Sequence, residues 1–161
     1  MKRKKIIFVC TGNTCRSPMA AEFLKNLLKN SEYEEQIEVV SAGLAVFGNQ
    51  SASPQAIKVM REMNYDISDH VSTQLTQEMV QEADLILTMT QDHKKQILVL
   101  EPKAEGKTYS LLEFSSEEEN EKDLDISDPF GAPVEVYKKT AQELKSAVES
   151  AFPKILKKIL G

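Results

Sequence analysis

Ile6-Ile7-Phe8-Val9-Cys10-Thr11-Gly12-Asn13-Thr14-Cys15-Arg16-Ser17-Pro18 is the stretch on which the fold turns. The apolar run that ends at Cys10 reads as a buried strand, about Lys5–Cys10. Small polar residues and a glycine follow as a turn. Ser17-Pro18 then predicts a helix start, with Ser as N-cap and Pro at the first helical position. Cys10 therefore stands where a strand ends, and Arg16 where a helix begins.

Beyond this stretch, apolar runs keep alternating with amphipathic ones, the pattern of a parallel sheet flanked by helices. Helices are expected over about 18–29 (Ala20, Phe23, Leu24, Leu27 and Leu28 on one face), from Ser53-Pro54 onward, and over 77–82, 91–100 and 134–160. Strands are expected over about 37–41, within 83–89, and over 107–111, with a loop over 44–52. Pro153 should kink or split the last helix. The expected fold class is α/β: one domain, residues 1–161, with a four-stranded parallel sheet flanked by helices. In such sheets ligands bind beyond the carboxyl ends of the strands. Cys10 lies at such an end.

The chain has 161 residues, 41% hydrophobic and 28% charged, which is ordinary for one globular domain. Its net charge is −5, and the six acids and one base within residues 115–125 account for all of it. That run reads as a solvated loop. With no basic excess left over, nucleic-acid binding is not expected. No apolar run approaches the ~20 residues of a membrane span. Basic Lys2-Arg3-Lys4-Lys5 before a short apolar run is not a signal peptide, because the polar turn cuts the run off. Two cysteines five apart make no disulfide framework, so a reducing cytoplasm is expected.

The chemistry follows from the turn. A helix N-terminus attracts anions through its unpaired N–H groups and positive dipole end. Inward-pointing loop N–H groups add to this attraction. The same field is expected to lower the pKa of a nearby thiol, whose thiolate is the nucleophile. A thiolate floor with a guanidinium rim suits attack on a phosphate monoester or phosphoramidate.

The string Cys10-Thr11-Gly12-Asn13-Thr14-Cys15-Arg16-Ser17-Pro18 resembles the active-site signature of the low-molecular-weight protein-tyrosine phosphatases. Ser41-Ala42-Gly43, Ala83-Asp84-Leu85-Ile86-Leu87 and the distal Asp128-Pro129 extend the resemblance along nearly the whole chain. Thr14 and Asp128-Pro129-Phe130-Gly131 resemble the bacterial branch that removes phosphate from protein arginine. Tyrosine-directed members usually carry an aliphatic residue at the position of Thr14 and tyrosines after the Asp-Pro. A Thr14 hydroxyl can accept an N–H from a guanidinium, which an aliphatic side chain cannot.

The resemblance implies roles. Cys10 would be the nucleophile, forming a phosphocysteine, and Arg16 would clamp two phosphoryl oxygens. Asp128 would be general acid and then base. Thr11, Gly12, Asn13, Thr14, Cys15, Ser17 and Phe130 would bind substrate, with Ser17 donating to the Cys10 sulfur, Asn13 bracing the loop and Gly12 letting backbone approach phosphate. Phe47 is a candidate cleft wall. Cys15 is either an apolar filler or a disulfide partner of Cys10. His70 and His93 lack metal-spaced partners and read as structural, and Tyr137 reads as core. No metal or cofactor is expected. Phosphorylated proteins are the expected partners of a monomer. Phosphotyrosine phosphatase is the alternative. Thiol-dependent arsenate reductase needs further cysteines, and none follows Cys15.

Overall fold

Strand β1 (Lys4–Cys10) sends Ile6, Phe8 and Cys10 into one apolar cluster and Ile7 and Val9 into another. Side chains alternate across a strand, so β1 is buried on both faces and belongs at the centre of a sheet. The computed structural model describes residues 2–116 and 123–161 and places it there. Strand β2 (Ile37–Gly43) pairs with one edge of β1 and β3 (Leu85–Thr88) with the other, and β4 (Thr108–Ser110) pairs with β3. All four strands are parallel, in the order β2-β1-β3-β4.

Helices cover both faces. α1 (Arg16–Lys29), α2 (Pro54–Glu62), α5 (Leu111–Ser115) and α6 (Val134–Leu160) pack with Ile6, Phe8, Leu85 and Leu87. Met19, Phe23, Leu24, Met60, Leu144 and Val148 are their buried contributions. α3 (Gln77–Glu82) and α4 (Gln91–Leu100) pack on the other face through Val80 and Ile97, against Ile7, Val9 and Ile86.

Three local expectations need correction. Ser17 is not an N-cap. α1 begins at Arg16, Cys15 holds the cap position without a side-chain bond, and Pro18 lies inside the first turn. Pro153 does not split α6, which runs unbroken over Val134–Leu160. Pro153 sits on the exposed face while Ala151 and Ile155 are buried, so the lost backbone bond falls where water can replace it. Leu111 begins α5 instead of ending a strand, because Ser110 and Glu113 form a capping box there. Most of the acidic run, residues 117–122, lies outside the described residues.

Candidate active site

The carboxyl ends of β1 and β2 are in register, Cys10 opposite Gly43, and the loop from Thr11 to Cys15 rises from this edge. Gly43 is required by close approach. A Cβ there would come within 2.6 Å of the Thr11 carbonyl oxygen and 3.0 Å of Asn13 Cβ. Gly12 faces no such crowding, since a Cβ would meet nothing nearer than Thr14 Oγ1 at 3.9 Å. Beyond β2 the chain stays tied to the loop, with Leu44 N–H donating to the Cys10 carbonyl at 3.0 Å and Ala45 N–H to that of Thr11 at 2.9 Å.

Asn13 is the brace of the loop. It is fully buried, with φ of 57°, a left-handed conformation asparagine tolerates. Its Oδ1 accepts the Thr73 backbone N–H at 2.9 Å, which settles the orientation of the amide. Nδ2 then donates to Ser17 Oγ at 2.7 Å and Ser41 Oγ at 3.0 Å. The Asn13 carbonyl accepts from His70 Nε2 at 2.6 Å, and its N–H points at Cys10 Sγ at 3.3 Å. Since Ser17 Oγ already accepts from Asn13, its hydroxyl proton is free to go to Cys10 Sγ, 2.9 Å away.

Above the sulfur is a cavity of about 340 Å³. Cys10, Thr11, Gly12, Thr14, Cys15 and Arg16 form its floor and sides, and Asp128, Phe130, Phe47, Gln50 and Ala45 its rim. Both phenyl rings are largely exposed, Phe47 at 80% and Phe130 at 75%. Asn13 and Ser17 are fully buried and their side chains do not line the cavity, so those side chains hold the loop from behind. Cys15 reaches the cavity wall, yet its sulfur contacts the Tyr137 hydroxyl at 3.3 Å and Ser53 Oγ at 3.5 Å. Tyr137 is core, as expected, and burial followed by Cys15 pushes its phenol up to about 12.

Arg16 is buried, and its Nη1 donates to the Ile126 carbonyl at 2.8 Å. Its Nη2 lies 3.6 Å from Asp128 Oδ2. One guanidinium thus joins the loop to the segment carrying the acid. Asp128 Oδ1 accepts the Phe130 N–H at 3.0 Å, a turn that leaves Oδ2 facing Arg16.

Electrostatics correct one expectation. Burial is the largest influence on Cys10 and pushes its thiol up, not down. The Ser17 hydroxyl and N–H, the Arg16 charge and the Asn13 N–H pull the other way. The end of α1 adds its positive field to theirs. The two histidines are structural in a sense their positions do not reveal. His70 holds the Asn13 carbonyl and His93 holds Thr11, with Nε2 2.9 Å from Oγ1. Burial, followed by the Arg16 charge, pushes His93 down to about 4.

Among the described residues no group of three or more metal-ligating side chains is gathered, and no helix is long and apolar enough to cross a membrane. The model of the low molecular weight phosphotyrosine protein phosphatases matches residues 5–159. A protein-arginine-phosphatase of Geobacillus stearothermophilus is 40% identical over 94% of this chain and 95% of its own. Its counterpart in Bacillus subtilis is 37% identical over 95% and 97%. The solved YwlE arginine phosphatase from Geobacillus stearothermophilus superposes with a TM-score of 0.85 at 39% identity, covering 98% of this chain and 96% of that one. A cavity lined by Cys10 and Arg16 at the end of this sheet, and a match spanning nearly all residues, have one reading: the chain belongs to the low-molecular-weight phosphotyrosine protein phosphatase family, cysteine-dependent hydrolases of phosphorylated proteins.

Proposed function

We propose that this chain removes the phosphoryl group from phosphoarginine in proteins, through a phosphocysteine intermediate. The observation that carries the reading is Thr14, a hydroxyl-bearing residue on the wall of the Cys10–Arg16 cavity. The curated relatives at 40% and 37% identity that are named protein-arginine-phosphatases support it. A solved YwlE arginine phosphatase variant with a phosphorylated active-site serine, 36% identical, supports a covalent intermediate at the nucleophile.

In this mechanism the Cys10 thiolate attacks phosphorus. The Arg16 guanidinium and the loop N–H groups hold the equatorial oxygens as charge develops. The P–N bond breaks, and Asp128 gives its proton to the departing guanidine nitrogen. Water then attacks the phosphocysteine while the Asp128 carboxylate takes a proton from it. The S–P bond breaks, releasing inorganic phosphate and restoring the thiolate. Thr14 Oγ1 accepts a guanidinium N–H, and Phe47 and Phe130 flank the planar group. The whole of residues 1–161 acts as one monomeric domain in the cytoplasm, with no nucleic-acid or membrane partner and no cofactor.

The exposed Phe47 and Phe130 also suit a phenyl ring, which favours phosphotyrosine as the second reading. Comparing kcat/KM on phosphoarginine and phosphotyrosine peptides, with Cys10→Ser as blank, separates the two. A preference for the tyrosine peptide overturns the first.

A further inference from the structure

The contact between Thr11 and His93 has no part in the reaction above, yet it ties the cavity to α4. His93 lies in the first turn of α4, with its backbone N–H on Thr90 Oγ1 at 3.0 Å. The residue is 4% exposed, and its ring Nδ1 is buried with no hydrogen-bond partner among the described residues. A neutral imidazole carries one N–H. A proton on Nδ1 would be a buried, unpaired donor, a situation proteins avoid more strictly than an unpaired acceptor. The positive end of α4 also favours a bare lone pair over an added proton. Burial and the Arg16 charge hold the ring neutral, against the opposing pull of Asp92, Asp125 and Asp128.

The N–H therefore sits on Nε2 and donates to Thr11 Oγ1, 2.9 Å away. Thr11 Oγ1 has no other partner among the described residues, and Thr11 lines the cavity beside Cys10 and Arg16. With its oxygen engaged from behind, the hydroxyl has its proton left for the cavity. We propose that His93 is a positioning residue that makes the Thr11 hydroxyl a dedicated donor to the phosphoryl group. This rests on the reading of the Cys10 cavity as a phosphoryl site and holds for an arginine or a tyrosine leaving group alike. A hydroxyl given to an anionic oxygen adds to the backbone N–H groups of the loop.

The test uses inorganic phosphate as a competitive probe, with kcat and KM on p-nitrophenyl phosphate. Thr11→Val and His93→Leu should each weaken phosphate roughly 10- to 100-fold. The double variant should be no worse than the weaker single, because both break one device. Thr11→Ser and His93→Gln, which keep a hydroxyl and an amide donor, should bind phosphate like the wild type. Nitrogen-15 spectra of the wild-type histidines should show His93 as the Nε2–H tautomer at neutral pH. An Nδ1–H tautomer, an imidazolium, additive losses, or unchanged phosphate binding in Thr11→Val each overturn the proposal. Should His93→Leu fail to fold, Thr11→Val and the spectrum decide. Phosphate affinity is read without turnover, so turnover surviving in Cys10→Ser would sink the proposed mechanism while leaving this coupling to be judged separately.

Discussion

Ser17 Oγ lies 2.9 Å from Cys10 Sγ and has only one proton to place. Asn13 Nδ2 occupies a lone pair of that oxygen at 2.7 Å, and the Asn13 amide is itself oriented by the Thr73 N–H. The hydroxyl proton goes to sulfur, where it stabilises the thiolate against the burial that opposes it. Ser17→Ala should therefore raise the Cys10 pKa. The rate of Cys10 alkylation by iodoacetamide, followed against pH, should shift to higher pH than in the wild type. An unshifted profile would mean that Ser17 does not donate to the sulfur.

Thr14 should act as a selector. Thr14→Ile removes the hydroxyl and leaves a branched apolar wall on the cavity. A site that pairs with a substrate N–H discriminates strongly, because the wrong partner strands a polar group. The variant should lose kcat/KM on phosphoarginine peptides and keep or gain it on phosphotyrosine peptides. If the ratio of the two barely moves, selection lies elsewhere.

Gly43→Ala should damage the loop from a distance. The new Cβ would sit 2.6 Å from the Thr11 carbonyl oxygen and 2.7 Å from Val46 Cγ2, and the backbone partner has no rotamer to yield. Overpacking of this kind typically destabilises by about 1–3 kcal/mol. Urea unfolding should show that loss, with weaker phosphate binding in the surviving folded protein. Wild-type values for both would show that the loop shifts freely.

His93 makes stability depend on pH. Burial and the Arg16 charge push its folded pKa down to about 4 from the ordinary 6.5, so the unfolded chain binds the extra proton first. Stability associated with the neutral ring is complete above about pH 6.5 and falls as the pH drops toward 4. His70, also lowered by burial, acts with the same sign. The difference in urea stability between wild type and His93→Gln, measured from pH 7 down to pH 4, isolates the His93 share. A constant difference across that range would contradict it.

Much of this fold is legible because its signals are local. The apolar run ending at Cys10 and the periodicity of residues 134–160 need only their own neighbours. The same holds for the Ser53 cap, whose side chain accepts the Ala56 N–H as the Ser-Pro pattern predicts. The identical pattern at Ser17 misleads, because tertiary structure draws that hydroxyl to the Cys10 sulfur. α5 escapes notice because its five residues directly follow a three-residue strand, leaving no periodic run to read. The histidines could not be placed from their surroundings in sequence. The loop residues they hold are 57 and 82 positions away.

Asp128 offers the sharpest test of the mechanism. Its Oδ1 is engaged by the Phe130 N–H, so the transferable proton belongs on Oδ2, the oxygen 3.6 Å from Arg16 at the cavity rim. The guanidine leaving group of phosphoarginine is very basic, with a conjugate-acid pKa above about 12, and should not depart unprotonated. A phenolate, with a pKa near ~10, leaves more readily, and an activated nitrophenolate more readily still. Asp128→Asn keeps an acceptor for the Phe130 N–H and removes the proton. Phosphoryl transfer should therefore slow most on phosphoarginine, by around the 10²–10⁴ typical of a positioned acid, less on phosphotyrosine and least on p-nitrophenyl phosphate. Single-turnover kinetics separate this step from hydrolysis of the phosphocysteine, which should slow by the same factor whatever the substrate, because the intermediate is common to all three. Equal losses in the transfer step would mean that Asp128 does not protonate the leaving group. Hydrolysis unchanged in the variant would mean that it does not activate water.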